Sequence, residues 1–160
     1  MPELTNIALG LGSNLENRTA NLNAAVGRLS GRIVEGLVCS SFFLTDPVDC
    51  PAGTPSFLNA AVAGTTFLSP ADLLDRCQAL ERAMGRPHYH ACHSDRIIDI
   101  DILLYGQLTE AKRRLTIPHP QLMGRAFVLE PLCEIVPDWP VGAEGKTVAV
   151  CWAELSGKRP

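Results

Sequence analysis

The sequence predicts an α+β fold: a ferredoxin-like βαββαβ core with an additional hairpin and a C-terminal helical segment, in three layers α/β/α. Three observations carry that prediction. Apolar runs of strand character open the chain and recur over 33–44, 57–67 and 97–105; two helical stripes fall between them where a βαββαβ order needs helices; and glycine or proline punctuates the joins. With 160 residues, 46% of them hydrophobic and 19% charged, the chain is read as a single domain over 1–160, its last residues, 156–160, expected to fray.

Taken in order, residues 6–12 form a short apolar strand that runs into the turn Gly12-Ser13-Asn14. Over 17–29, Leu22, Ala25, Val26 and Leu29 recur at helical spacing, and Gly31 follows as a stop. The stretch 33–44, rich in valine and phenylalanine, reads as one strand ended by Thr45-Asp46-Pro47, and 57–67 as its antiparallel neighbour. The clearest helix begins at Ser69, with Pro70 at its first position and Asp72 completing a capping-box pattern; Leu73, Cys77, Leu80 and Met84 form its buried stripe and Gly85 ends it. A ten-residue connection leads to the fourth core strand. Residues 108–117 then suggest a small outer hairpin, and 126–136 a helix stopped by Pro137.

The fourth strand is the most informative segment. Ile97-Ile98-Asp99-Ile100-Asp101-Ile102-Leu103-Leu104-Tyr105 places Asp99 and Asp101 on one face, over a floor of Ile98, Ile100 and Ile102 on the other. Two like charges so close repel, and a hard divalent ion neutralises both at once, so magnesium is the economical ligand. The plainer alternative is a pair of surface aspartates on a solvated sheet face. Basic residues crowd the flanks in sequence: Arg86, His88, His90, His93 and Arg96 before the strand, Arg113, Arg114, His119 and Arg125 after it. A triphosphate on two magnesium ions needs this combination, carboxylates for the metals and cations for the oxygens left uncovered. Taken singly, each of these side chains also reads as a solvated loop residue.

Composition narrows the function classes. A net charge of −3 and a pI near 5.8 give no general reason to bind nucleic acid or an anionic membrane, and neither partner is expected. The N-terminus lacks a basic-then-apolar leader and no apolar run reaches bilayer length, so a cytoplasmic location is expected. Six cysteines make no Cys-x-x-Cys pair and read as reduced thiols. Gly10-Leu11-Gly12-Ser13-Asn14 lacks the lysine of a phosphate loop and reads as a tight turn. His88, His90, Cys92 and His93 put four nitrogen or sulfur donors within six residues, which leaves a zinc-binding structural domain as a rival. An RNA-binding module is a third reading, opposed by the acidic pI and the missing basic-Gly-Phe sheet motif. Phe42, Phe43, Phe57 and Phe127 are core candidates, although an aromatic beside Asn59 suits a flat heterocycle whose edge the amide reads.

These residues together resemble the 6-hydroxymethyl-7,8-dihydropterin pyrophosphokinase family over nearly the whole chain, 7–137. The matching elements are Gly12-Ser13-Asn14, Ser40-Ser41-Phe42 with Thr45 and Pro47, Phe57-Leu58-Asn59-Ala60, Glu81 with Gly85-Arg86, Arg96 with Asp99-Ile100-Asp101, Leu115-Thr116-Ile117-Pro118-His119-Pro120, and Arg125-Ala126-Phe127-Val128-Leu129. The resemblance implies transfer of diphosphate from ATP to 6-hydroxymethyl-7,8-dihydropterin, in folate biosynthesis; separately, a monomer is expected. It implies that Asp99 and Asp101 bind two Mg2+ ions, with Asp101 also near the attacking hydroxyl, and that Arg86, Arg96, His119 and Arg125, with Arg114, hold ATP; Arg86 and Arg96 count with the aspartates as catalytic. The pterin would lie between Phe57 and Phe127, read by Asn59 and by the backbone around Thr45, Pro47 and Val48. The loops 46–56 and 86–95 would be lids. The second lid departs from the family, since His88, Cys92, His93 and Ser94-Asp95 stand where relatives usually carry arginines, a tryptophan and Gly-Pro. That departure implies a slower or differently regulated enzyme. A divergent pterin- or nucleotide-binding domain without this activity is the alternative.

Overall fold

A computed structural model describes residues 3–46, 52–85 and 97–157. Its main sheet is antiparallel and four strands wide: β1 (Thr5–Ser13) at the centre between β4 (Phe57–Thr66) and β5 (Asp99–Tyr105), with β2 (Glu35–Cys39) on the far side of β4. A fifth short strand, β3 (Phe43–Thr45), continues the edge next to β4. Helices α1 (Arg18–Leu29) and α2 (Pro70–Ala83) bury Leu22, Leu29, Leu73 and Cys77 against one face of the sheet, with Ile98, Ile100 and Ile102. Helices α3 (Ala126–Ile135) and α4 (Val148–Ser156) bury Leu129, Leu132 and Cys151 against the other, with Leu103 and Leu104.

Local chemistry sets the helix starts. Asn17 caps α1 by accepting from the Ala20 N–H at 3.0 Å, and Ser69 caps α2 by accepting from the Asp72 N–H at 3.2 Å with Pro70 behind it. Gly31, at φ 76°, turns the chain after α1 in a conformation that a side chain would resist.

The expected single strand over 33–44 is two strands in the structure. Ile33 and Val34 pack into the core before β2 starts, and the ladder breaks between Cys39 and Phe43. Ser40 causes the break by taking over the pairing itself. Its N–H donates to the Ala61 carbonyl at 2.9 Å, its hydroxyl accepts from the Ala61 N–H at 2.9 Å, and the same hydroxyl donates to the Ser41 carbonyl at 2.8 Å.

The expected outer hairpin is β6 (Glu110–Ala111) with β7 (Thr116–Ile117), and the expected third helix is α3. A hairpin of β8 (Pro140–Val141) and β9 (Lys146–Thr147), followed by α4, was not foreseen; Thr147 caps that helix by accepting from the Val150 N–H at 3.2 Å. The expected tail is ordered at its start: Ser156 closes α4 and Gly157 caps it, while 158–160 lie outside the described residues.

Strand β5 does not keep one alternation throughout. Ala8 pairs with Leu104 but Leu9 with Ile102, so Leu103 is an extra residue without a partner on β1. Up to that bulge the strand alternates as expected, aspartates on one face and isoleucines on the other. Beyond it, Leu104 joins Leu103 in the α3–α4 core and Tyr105 turns toward α2, donating its hydroxyl proton to the Leu68 carbonyl at 2.6 Å.

Candidate active site

The face of the sheet that carries the aspartates is hollow because the strand beside them has no side chains there. Gly12 pairs with Asp99 and Gly10 with Asp101, so the carboxylates stand beside bare backbone. A Cβ at position 12 would sit 2.9 Å from Asn59 Oδ1, so any side chain there would displace the Asn59 amide. The result is a cleft of about 390 Å³ whose lining includes Gly10, Gly12, Thr45, Phe57, Asn59, Asp99, Asp101, His119, Arg125 and Phe127.

Each group reaches the cleft from a different element. Phe57 opens β4 and Asn59 follows two residues on; the Asn59 amide donates to the Thr45 hydroxyl of neighbouring β3, which fixes its orientation and turns Oδ1 toward Gly12. Arg125 and Phe127 come from the start of α3, whose positive dipole end opens on the same space. The Arg125 guanidinium lies 5.4 Å from the centroid of the Phe127 ring.

His119 follows the cis Ile117–Pro118 bond and is tied to β5 by its N–H, which donates to the Leu103 carbonyl at 3.0 Å. Its Nδ1 accepts from the Gln121 N–H at 3.2 Å, which leaves the ring proton of the neutral form on Nε2. Burial pushes its pKa below 6.5; Asp99 opposes that shift and Arg125 adds to it. At neutral pH the ring is therefore a neutral donor. Because the fold favours the uncharged ring, its contribution to stability is complete above about pH 6.5 and is lost as pH falls through the lowered value. Melting temperatures at pH 7.5 and 5.5 should fall further for the parent than for His119→Asn; equal falls would refute this.

Glu81 belongs to the site although the sequence reading gave it no role. Its signal was a carboxylate on the apolar stripe of α2, next to Leu80 and one turn after Cys77. Buried under the cleft, its Oε2 accepts from the Ile100 N–H at 2.8 Å, the amide between the two aspartates. Beside it the buried thiol of Cys77 is pushed up to about 12, mainly by burial and then by Glu81 and Asp101, and stays protonated.

Arg114 stands apart from the other expected ATP ligands. It lines a second cleft of about 210 Å³ that shares Leu74, Ile100, Asp101 and His119 with the first, and it is paired with Asp75 and with Gln78 at 3.2 Å. Pro47, Val48, Arg86, His88, His90, Cys92, His93 and Arg96 lie outside the described residues.

Residues 8–137 match the 7,8-dihydro-6-hydroxymethylpterin-pyrophosphokinase (HPPK) family. The chain belongs to that family. It is 38% identical over 154 residues to the 2-amino-4-hydroxy-6-hydroxymethyldihydropteridine pyrophosphokinase of Methylorubrum extorquens, spanning 96% of this chain and 97% of the relative. Identity to the enzyme of the same name from Porphyromonas gingivalis is 40% over 134 residues, 82% of this chain and 90% of that one. Among solved structures, a Plasmodium falciparum HPPK-DHPS triple mutant overlays with a TM-score of 0.74 at 15% identity, a likeness of fold. It covers 96% of this chain, which spans only 44% of that longer one. This HPPK is thus a diphosphotransferase, moving the pyrophosphoryl group of ATP to hydroxymethyldihydropterin in folate biosynthesis, and its family works on magnesium ATP. Among the described residues no helix is long and apolar enough to cross a membrane.

Proposed function

We propose that the transfer runs in the cleft on a ferredoxin-like frame, with Asp99 and Asp101 holding two magnesium ions. The donor set suits that ion. Among the described residues no three His, Cys, Asp or Glu side chains gather as a closed metal cage. Two carboxylates beside bare backbone would supply hard oxygen donors and leave room for the phosphate oxygens of a nucleotide, the donor chemistry that magnesium prefers. When bound, it neutralises the charge of the triphosphate.

The chain's own groups do the positioning. His119 donates from Nε2 to a phosphate oxygen and Arg125 covers another; Arg86 and Arg96 add their cations, and Arg114 serves the nucleoside end in the second cleft. Asp101, facing the junction of the two clefts, takes the hydrogen bond of the attacking hydroxyl. The pterin ring lies between Phe57 and Phe127. Asn59, with its NH2 committed to Thr45, offers Oδ1 as an acceptor to a ring N–H, and backbone at 45–48 takes the remaining edge. Loops 46–56 and 86–95, the latter with His88, Cys92 and His93, close over the substrates. A cytoplasmic monomer completes the reading.

The observation that carries this proposal is the meeting, in one cleft, of the aspartates with His119 and Arg125 and of Asn59 with the two phenylalanines. Counting ions tests it. Manganese titrated by electron spin resonance into the protein with a non-hydrolysable ATP analogue and the pterin should bind at two equivalents, and at fewer in Asp99→Asn. A single equivalent would overturn the two-ion site.

A further inference from the structure

Opposite walls of the proposed pterin slot are joined by a contact well away from the chemistry. Glu134, near the end of α3, places one carboxylate oxygen 2.6 Å from the Ser41 N–H and 2.8 Å from the Ser41 hydroxyl, accepting from both. The partners are 93 residues apart in the chain. Ser41 lies in the break between β2 and β3, so its N–H has no ladder partner to compete for it.

Helical geometry connects this contact to the slot. Glu134 lies seven residues after Phe127, two turns along the same face of α3. The far end of the contact leads directly into β3, where Phe43 pairs with Asn59 and the Thr45 hydroxyl takes the Asn59 amide. One wall, the Phe127 ring on α3, is thereby tied through β3 to the other, Phe57 on β4, which pairs with Thr45. Both Ser41 and Glu134 are exposed, where a lone contact contributes little, but a carboxylate holding two donors of one residue is a charge-assisted and directional link.

We infer that the Glu134–Ser41 contact is a positioning device that presets the width of the pterin slot, an inference that rests on the proposed placement of the pterin between Phe57 and Phe127. It acts first on the pterin, because among the described phosphate-holding groups only Arg125 shares α3 with Glu134. The carboxylates, His119 and the second cleft are held by β5, α2 and the turn at 117–121, none of which the contact touches.

The experiment measures pterin and ATP-analogue affinity separately, with steady-state kinetics, in the full chain. Glu134→Ala should weaken the pterin by roughly tenfold, raising its KM, with kcat and nucleotide affinity within about twofold of the parent. Glu134→Gln keeps an oxygen acceptor and should recover most of the loss. Ser41→Ala removes one of the two donors, so it should give a smaller loss and add nothing to Glu134→Ala. Unchanged pterin affinity in a folded Glu134→Ala, or an equal loss for the nucleotide, would overturn the inference. Should Glu134→Ala fail to fold, Ser41→Ala decides alone, since parental pterin affinity there has the same consequence. A parent that gains no protection of Phe57 or Phe127 on binding the pterin would instead remove the slot itself.

Discussion

Asp99→Ala and Asp101→Ala each lower turnover by at least about a hundredfold while the protein keeps its fold. The loss is large because the transfer is driven by charge neutralisation and alignment, and Asp99 and Asp101 are the two carboxylates that stand directly opposite the bare backbone of Gly12 and Gly10. The fold survives because both side chains are only half-buried on the open side of β5, while Ile100 and Ile102 anchor the strand from below. Circular dichroism and melting curves establish the fold, and initial rates at saturating magnesium give the cost. Near-parental rates in either variant would strip that residue of its role.

Glu81→Ala acts on the same strand from underneath and should affect both stability and rate. It removes the acceptor of the Ile100 N–H in a buried setting, which costs about 1–3 kcal/mol, and it frees the stretch of β5 that aims the two aspartates. A lower melting temperature is expected together with a turnover loss of roughly tenfold, because a small misplacement of catalytic groups is expensive. Glu81→Gln retains an oxygen for the N–H and should restore most of both. If Glu81→Ala melts like the parent, the contact to Ile100 is not supporting the strand.

The parts of this molecule that were legible in the sequence are those where one local rule dominates. The start of the first helix near Asn17, the cap at Ser69 and the alternation around Asp99 and Asp101 depend on neighbours a few residues away, and they fall where local patterning puts them. The break at Ser40 was hidden because a serine in a valine-rich run looks tolerable until its hydroxyl finds Ala61, twenty-one residues on. Helix α4 was missed because Val148 to Trp152 offers no polar face to mark a period, and its cap at Thr147 is short and follows a turn. The same limit applies to Glu81. Its place on an apolar stripe was visible, whereas its partner on β5 is set by tertiary packing alone. Arg114 was grouped with the ATP ligands through the resemblance, and a matching motif does not reveal that Asp75 and Gln78 hold it at the neighbouring cleft.

The bulge at Leu103 also governs how the chain can misfold. Without an extra residue, β5 could slide one position along β1, and a strand of alternating Asp and Ile would lose little backbone pairing in doing so. Such a slip would drive Asp99 and Asp101 into the α1–α2 core, where two unpaired carboxylates have nothing to meet them. Because Leu103 and Leu104 both lodge in the opposite core, a shifted strand must pull two leucines out as well as push two charges in. Correct registry beside the aspartates is therefore enforced by two leucines of the α3–α4 core, one of which, Leu103, also lines the cleft, so a mistaken pairing would cost buried apolar contacts before any ligand is present.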